Sequence, residues 1–197
     1  MSLSGLLDLV SADPAVAQAI ELARSGARHE LDLTAPVGYR PFVIGSLVRG
    51  ADRPILAVTA TSREGEDLTS ALATILPPER IAYFPSWETL PHERLSPRSD
   101  TVGRRLAVLR RLAHPSDEDP AAGPLSVVVA PIRSVIQPMV SGLGDLRPVS
   151  ARAGTEISLD DLIEGLVHAA YTRVDLVEKR GEFAVRGGIV DVFPPTE

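Results

Sequence analysis

Pro54-Ile55-Leu56-Ala57-Val58-Thr59 is a short apolar run without alternation, the pattern of a strand buried on both faces of a sheet. A helical pattern follows from about Glu64 to Ile75, with Leu68, Leu72 and Ile75 on one side. The pair recurs downstream. Ile81-Ala82-Tyr83-Phe84 reads as a strand, residues 101–113 as a helix, and Leu125-Ser126-Val127-Val128-Val129-Ala130 as a further strand. Upstream, Asp13 followed by Pro14 marks a helix start. Glu30-Leu31-Asp32-Leu33-Thr34 alternates like a short strand, and a helix is predicted through Phe42–Val48. Short apolar strands separated by helices predict an open parallel α/β sheet.

Around Gly142 to Arg152 that alternation ends. One helix follows, capped by Ser158 with Leu159, Leu162 and Leu166 apolar, then strands at Arg173–Val177, Glu182–Arg186 and Ile189–Phe193. This predicts a second, smaller α+β unit starting near residue 147. Its last strand stops four residues before Glu197, so the unit is expected to be incomplete and the chain a piece of a longer protein. An apolar last strand with an unpaired edge also predicts self-association as a dimer.

Composition narrows the chemistry. The chain has 197 residues, 44% hydrophobic and 23% charged, which fits a globular protein. No cysteine is present, so disulfides, thiol catalysis and Cys-based zinc sites are excluded. No apolar run approaches the roughly 18 residues a membrane span needs, and no basic stretch precedes a hydrophobic core at the N-terminus. A cytoplasmic location is expected. The net charge of −6 argues against strong attraction to duplex DNA.

Of twenty basic residues only Lys179 is a lysine, and it lies far from any Gly-rich turn that opens a helix. A working Walker A loop is therefore absent. Thr34-Ala35-Pro36-Val37-Gly38-Tyr39-Arg40-Pro41-Phe42 stands where such a loop would open its helix. Gly38 is its single glycine, Arg40 takes the approximate place of the lysine, and Pro41 that of the Mg²⁺-holding hydroxyl. No ATP binding is expected there. The histidines at 29, 92, 114 and 168 show no ligand spacing, no metal site is predicted, and no Gly-x-Ser-x-Gly elbow is present. No catalytic residue is assigned.

The helix over 101–113 is amphipathic, with Val102, Leu106, Leu109 and Ala113 on one stripe. Arg104 and Arg111 fall on its polar side, and the four arginines 104, 105, 110 and 111 are expected to be solvated or paired with acidic neighbours. Two other motifs differ in kind. Phe84-Pro85-Ser86-Trp87-Glu88-Thr89-Leu90-Pro91 carries the only tryptophan directly after a strand. In Gly181-Glu182-Phe183-Ala184-Val185-Arg186-Gly187-Gly188-Ile189-Val190-Asp191-Val192-Phe193-Pro194, two strands flank a Gly-Gly hairpin turn. Phe183 and Val185 share one face, and Arg186 lies on the other.

Through these motifs the chain resembles the N-terminal UvrB-homology region of bacterial transcription-repair coupling factors. The first is similar to that family's "DWETLP" box, with Ser86 where Asp is common. The second matches its "GEFAVRGGILDVFP" box nearly residue for residue, and the resemblance covers essentially the whole chain. UvrB shares a looser form of the second box but keeps a Walker A loop, so the departure at Arg40-Pro41 favours the coupling factor.

The resemblance implies a RecA-like domain with a degenerate P-loop over about 1–146, then the start of the UvrA-docking module over 147–197. It implies that Arg186 belongs to the UvrA-contacting surface, and that this piece is not itself an enzyme and needs no cofactor. ATP and Mg²⁺ would serve motor lobes beyond residue 197, in a parent that is an ATP-driven DNA translocase. RNA polymerase and double-stranded DNA would likewise meet regions beyond residue 197. The alternative is a UvrB-related nucleotide-binding or DNA-processing ATPase domain, which the turn at 34–42 does not equip.

Overall fold

A computed structural model of the chain describes residues 5–26, 30–89, 96–117 and 122–195. Three of its helices begin where a side chain satisfies N–H groups that the first turn leaves unpaired. Asp13 accepts from the amides of Ala15 (2.9 Å) and Val16 (3.3 Å) to open α2 (Pro14–Ser25), which stops at left-handed Gly26. Thr61 caps α4 (Ser62–Leu72), and Ser158 caps α7 (Leu159–His168). The helix predicted through 42–48 is α3 (Arg40–Ala51), and α1 (Leu6–Ser11) packs beside it.

Three strands form a parallel sheet in the order β1 (Ile55–Thr59), β3 (Val127–Pro131), β2 (Ile81–Tyr83). The central β3 is buried at every position. Its residues alternate between two layers. Val127 and Val129 join Leu7, Leu72, Ile75 and Ile81 on the side of α1, α3 and α4. Val128 and Ala130 join Ala82, Phe84, Leu125 and Val108 on the side of α5 (Ser99–Ala113). This is the expected α/β arrangement, with helices on both faces of a parallel sheet. No helix among the described residues is long and apolar enough to cross a membrane.

Two expectations for this half need correction. Residues 30–34 form no strand and are exposed, with no neighbouring strand to pair with. An alternating Glu-Leu-Asp-Leu sequence tolerates extension, but a strand exists only where a ladder takes up its N–H and C=O groups. β1 is not buried on both faces: Leu56 is 56% and Val58 47% exposed. Leu56 borders an apolar groove of about 310 Å³ between β1, α5 and α6 (Ile132–Ile136), with Val135 and Met139 also lining it.

The second half is α7 with a mixed three-stranded sheet, ordered β4 (Thr172–Arg173), β5 (Glu182–Arg186), β6 (Ile189–Phe193). The strand expected at Arg173–Val177 is cut to its first residues, because the chain turns away after Val174 donates to Phe183. Leu166, Phe183 and Ala184 are the buried residues of this half. The two halves touch where Ser99, at the start of α5, donates to the carbonyl of Arg180 at 2.9 Å.

Candidate functional site

β5 and β6 pair antiparallel, with Arg186 opposite Ile189 across the two-residue turn Gly187-Gly188. Gly187 has φ +59°, a conformation that favours glycine and explains its place in the turn. Phe183 is wholly buried, and alternation along the strand sends Val185 the same way and Arg186 the other. Arg186 is exposed, as expected, but it is not freely solvated. Its Nη2 donates to the Asp175 carbonyl at 2.7 Å, which aims the guanidinium along the hairpin end. Ile189, opposite it in the ladder, is 66% exposed, and Leu176, next in sequence to Asp175, is 63% exposed. One held cation and two exposed apolar side chains make a surface suited to another protein.

The loop that supplies Asp175 is tied down from the strand itself. Glu182 Oε2 accepts from the amides of Glu178 (2.9 Å) and Lys179 (2.8 Å), and these bonds hold its carboxyl below the usual range. At the far end of the hairpin, Arg180 lies over the Phe193 ring at 5.1 Å and donates to the Pro194 carbonyl.

The tryptophan box is organised by a residue the sequence does not single out. Arg105 is fully buried, with its guanidinium 4.0 Å from the Phe84 ring centre and 4.2 Å from that of Trp87. Its Nη1 donates to the Pro85 carbonyl at 2.6 Å, while Nε and Nη2 have no partner among the described residues. Burial lowers its pKa to about 10, so it remains a cation at neutral pH. The Gln137 side chain clamps Trp87 from the other side, accepting from its amide (2.8 Å) and donating to its carbonyl (3.1 Å). Leu90 and Pro91 of the box, with His92, lie outside the described residues.

The buried stripe of α5 is therefore Thr101, Arg105 and Val108, rotated from the expected Val102, Leu106, Leu109 and Ala113. An apolar pattern cannot register a buried cation, because it scores arginine as surface. Nor do the other arginines seek acidic partners. Arg111 donates to the Gly123 (2.7 Å) and Glu79 carbonyls, Arg110 reaches the Leu146 carbonyl at 3.4 Å, and Arg104 is exposed.

In the 34–42 turn, a 3₁₀ turn at Val37–Tyr39 leads directly into α3. Gly38 has open space around it, Arg40 is exposed, and Pro41 is buried under the helix start. These residues do not converge with Arg186 or Trp87. His114 bonds Asp145 at 2.7 Å, and His29 lies outside the described residues. No cluster of metal-ligating side chains occurs among the described residues.

Comparison with known proteins bears on the β5–β6 hairpin first. Residues 149–197 match the family model described as the UvrB interaction domain. The match contains α7, all three strands of the second sheet and Arg186. Beyond it, the chain is 48% identical over 98% of its length to a transcription-repair-coupling factor of Mycobacterium bovis. It is 27% identical over 80% of its length to that of Bacillus subtilis, and 25% identical over 93% to UvrABC system protein B of Staphylococcus aureus. The chain spans 15% of the M. bovis protein, 13% of the B. subtilis protein and 28% of the S. aureus protein. The expected UvrB-homology region of transcription-repair-coupling type is thus confirmed.

Asp175, Glu182, Arg105 and Gln137 were missed from sequence. Glu182 carried a signal, since it sits inside the distinctive box. Asp175 acts through its backbone, and Gln137 lies 50 residues from its partner. Neither leaves a sequence pattern.

Proposed function

We propose that this chain is a non-catalytic docking module of a transcription-repair coupling protein, and that its β5–β6 hairpin binds UvrA through Arg186. The observation that carries this reading is the exposed Arg186, held by the Asp175 carbonyl beside Ile189, within the UvrB interaction domain. In this reading residues 1–146 descend from a RecA-like domain whose P-loop has decayed, and 147–197 begin the UvrA-docking module. The parent uses ATP and Mg²⁺ elsewhere to translocate on double-stranded DNA, displaces stalled RNA polymerase in the cytoplasm, and recruits excision repair through this module.

Calorimetric titration against UvrA tests the assignment. Arg186→Ala should lose about 2 kcal/mol of binding, roughly thirtyfold, with an unchanged melting temperature. Unchanged affinity refutes it. The competing ATPase reading needs a nucleotide site at 34–42. Saturable micromolar binding of a fluorescent ATP analogue, lost on replacing Arg40, would favour it. The reading also includes self-association. β6 pairs only with β5 among the described residues, and Ile189, Val192 and Phe193 are exposed along it. Light scattering that shows only a 21.0 kDa species at about 100 μM would exclude the dimer.

A further inference from the structure

Arg186 is a long side chain with many rotamers, and its usefulness to a partner depends on how many of them it occupies before contact. Its hydrogen-bond partner among the described residues is a backbone carbonyl, that of Asp175. A carbonyl in a connecting loop is only as well placed as the loop. Residues 174–181 are held at several points, the Gly181 N–H donating to the Phe193 carbonyl at 2.8 Å and the Thr172 N–H to the Gly181 carbonyl at 2.9 Å among them. Val174 donates to the Phe183 carbonyl at 2.9 Å, Ser99 of α5 donates to the Arg180 carbonyl at 2.9 Å, and Glu182 Oε2 gathers the amides of Glu178 and Lys179. Of these, only the last is made by a side chain of the conspicuous box itself.

We propose that Glu182 is a positioning residue for Arg186, which rests on the reading of the hairpin as a UvrA-docking surface. Glu182 opens β5 and Arg186 closes it, both on the same face and four residues apart. At about 3.3 Å per residue their backbones are some 13 Å apart, so the two side chains act through the loop rather than on each other. The carboxylate converts two loop N–H groups into a fixed turn at 178–179. That turn returns the chain so that the Asp175 carbonyl faces the strand's far end. The guanidinium then binds a carbonyl already in place. Glu182 is thereby a preorganising group for the interface, and its identity in the box follows from the need for one oxygen that accepts two amides.

A double-mutant cycle on UvrA binding tests this, using Glu182→Ala, Glu182→Gln, Arg186→Ala and Glu182→Ala/Arg186→Ala. Trp87 emission and the thermal midpoint report folding. Glu182→Ala should weaken binding about three- to tenfold, the penalty for a binding-competent conformer populated at that fraction. Glu182→Gln, whose amide oxygen still accepts both N–H groups, should restore most of it. Adding Glu182→Ala to Arg186→Ala should cost nothing further, because the loop then has no guanidinium to place. Without UvrA, the amide proton shifts of Glu178 and Lys179 should move in Glu182→Ala and be largely retained in Glu182→Gln. If Arg186→Ala weakens binding while Glu182→Ala does not, the positioning role is overturned. Additive losses mean that Glu182 touches UvrA itself, and also overturn it. Failure of Arg186→Ala to weaken binding removes the docking reading beneath it.

Discussion

Replacing Arg105 by alanine and by methionine separates volume from charge at the tryptophan box. The wild-type guanidinium gains a charged hydrogen bond to Pro85, worth about 1.5–3 kcal/mol, and two ring contacts of about 0.5–2 kcal/mol each. Against this, Nε and Nη2 are buried without partners among the described residues, at about 1–3 kcal/mol each. The polar terms nearly cancel, so what remains is the volume the side chain fills between Phe84 and Trp87. Arg105→Ala opens a cavity there and should cost about 3 kcal/mol. For a chain of this size that lowers the melting temperature by about 6–12 °C. Arg105→Met refills the slot, removes the two unmet donors and leaves one carbonyl unpaired. Its cost should stay within about 1 kcal/mol, or about 2–4 °C. Differential scanning calorimetry gives both numbers. The single tryptophan supplies a local check, since its emission should shift to the red in the alanine variant and stay close to wild type in the methionine variant. A methionine variant as unstable as the alanine variant would refute the reasoning, because the cation itself would then hold the box.

Three further outcomes can be measured on the same material. Gln137→Ala removes both bonds to the Trp87 backbone and should cost about 1–2 kcal/mol, with greater acrylamide quenching of Trp87; unchanged quenching would count against the clamp. Gly144→Ala puts a Cβ 2.9 Å from the Leu109 carbonyl oxygen and 3.1 Å from the Ala113 Cβ, so overpacking against α5 should cost about 1–3 kcal/mol in a thermal melt. The third concerns pH. Glu182 has a lowered pKa in the fold, through its bonds to the Glu178 and Lys179 amides, so its charged form stabilises the protein above the ordinary glutamate range. That contribution should fade as pH falls through the folded-state value. In acid denaturation the stability difference between wild type and Glu182→Gln should therefore shrink as pH falls below the ordinary glutamate range; a difference that persists into strong acid would argue against the carboxylate.

Much of the architecture was written in local patterns. The capping residues Asp13 and Ser158, the Gly187-Gly188 turn and the all-apolar run of β3 each specify their element through interactions within a few residues. The β5–β6 hairpin and the exposure of Arg186 followed from the Gly-Gly turn and strand alternation, and the box around Arg186 marked the family. Residues 30–34 show where such reasoning ends, because a strand needs a partner that no local pattern supplies. The same limit hid the arrangement around the two motifs. Arg104 and Arg105 are neighbours of one chemical type, yet one is exposed and the other is closed between two aromatic rings. That choice is made by the segment leaving β2, which carries Phe84 and Trp87 to Arg105 in the second turn of α5. Burial of a guanidinium is tolerable only where rings and a carbonyl replace its water, and only the folded chain assembles them. The Asp175 carbonyl is likewise invisible in sequence, since every residue has one. Its selection as the partner of Arg186 is decided by the path of the loop in three dimensions.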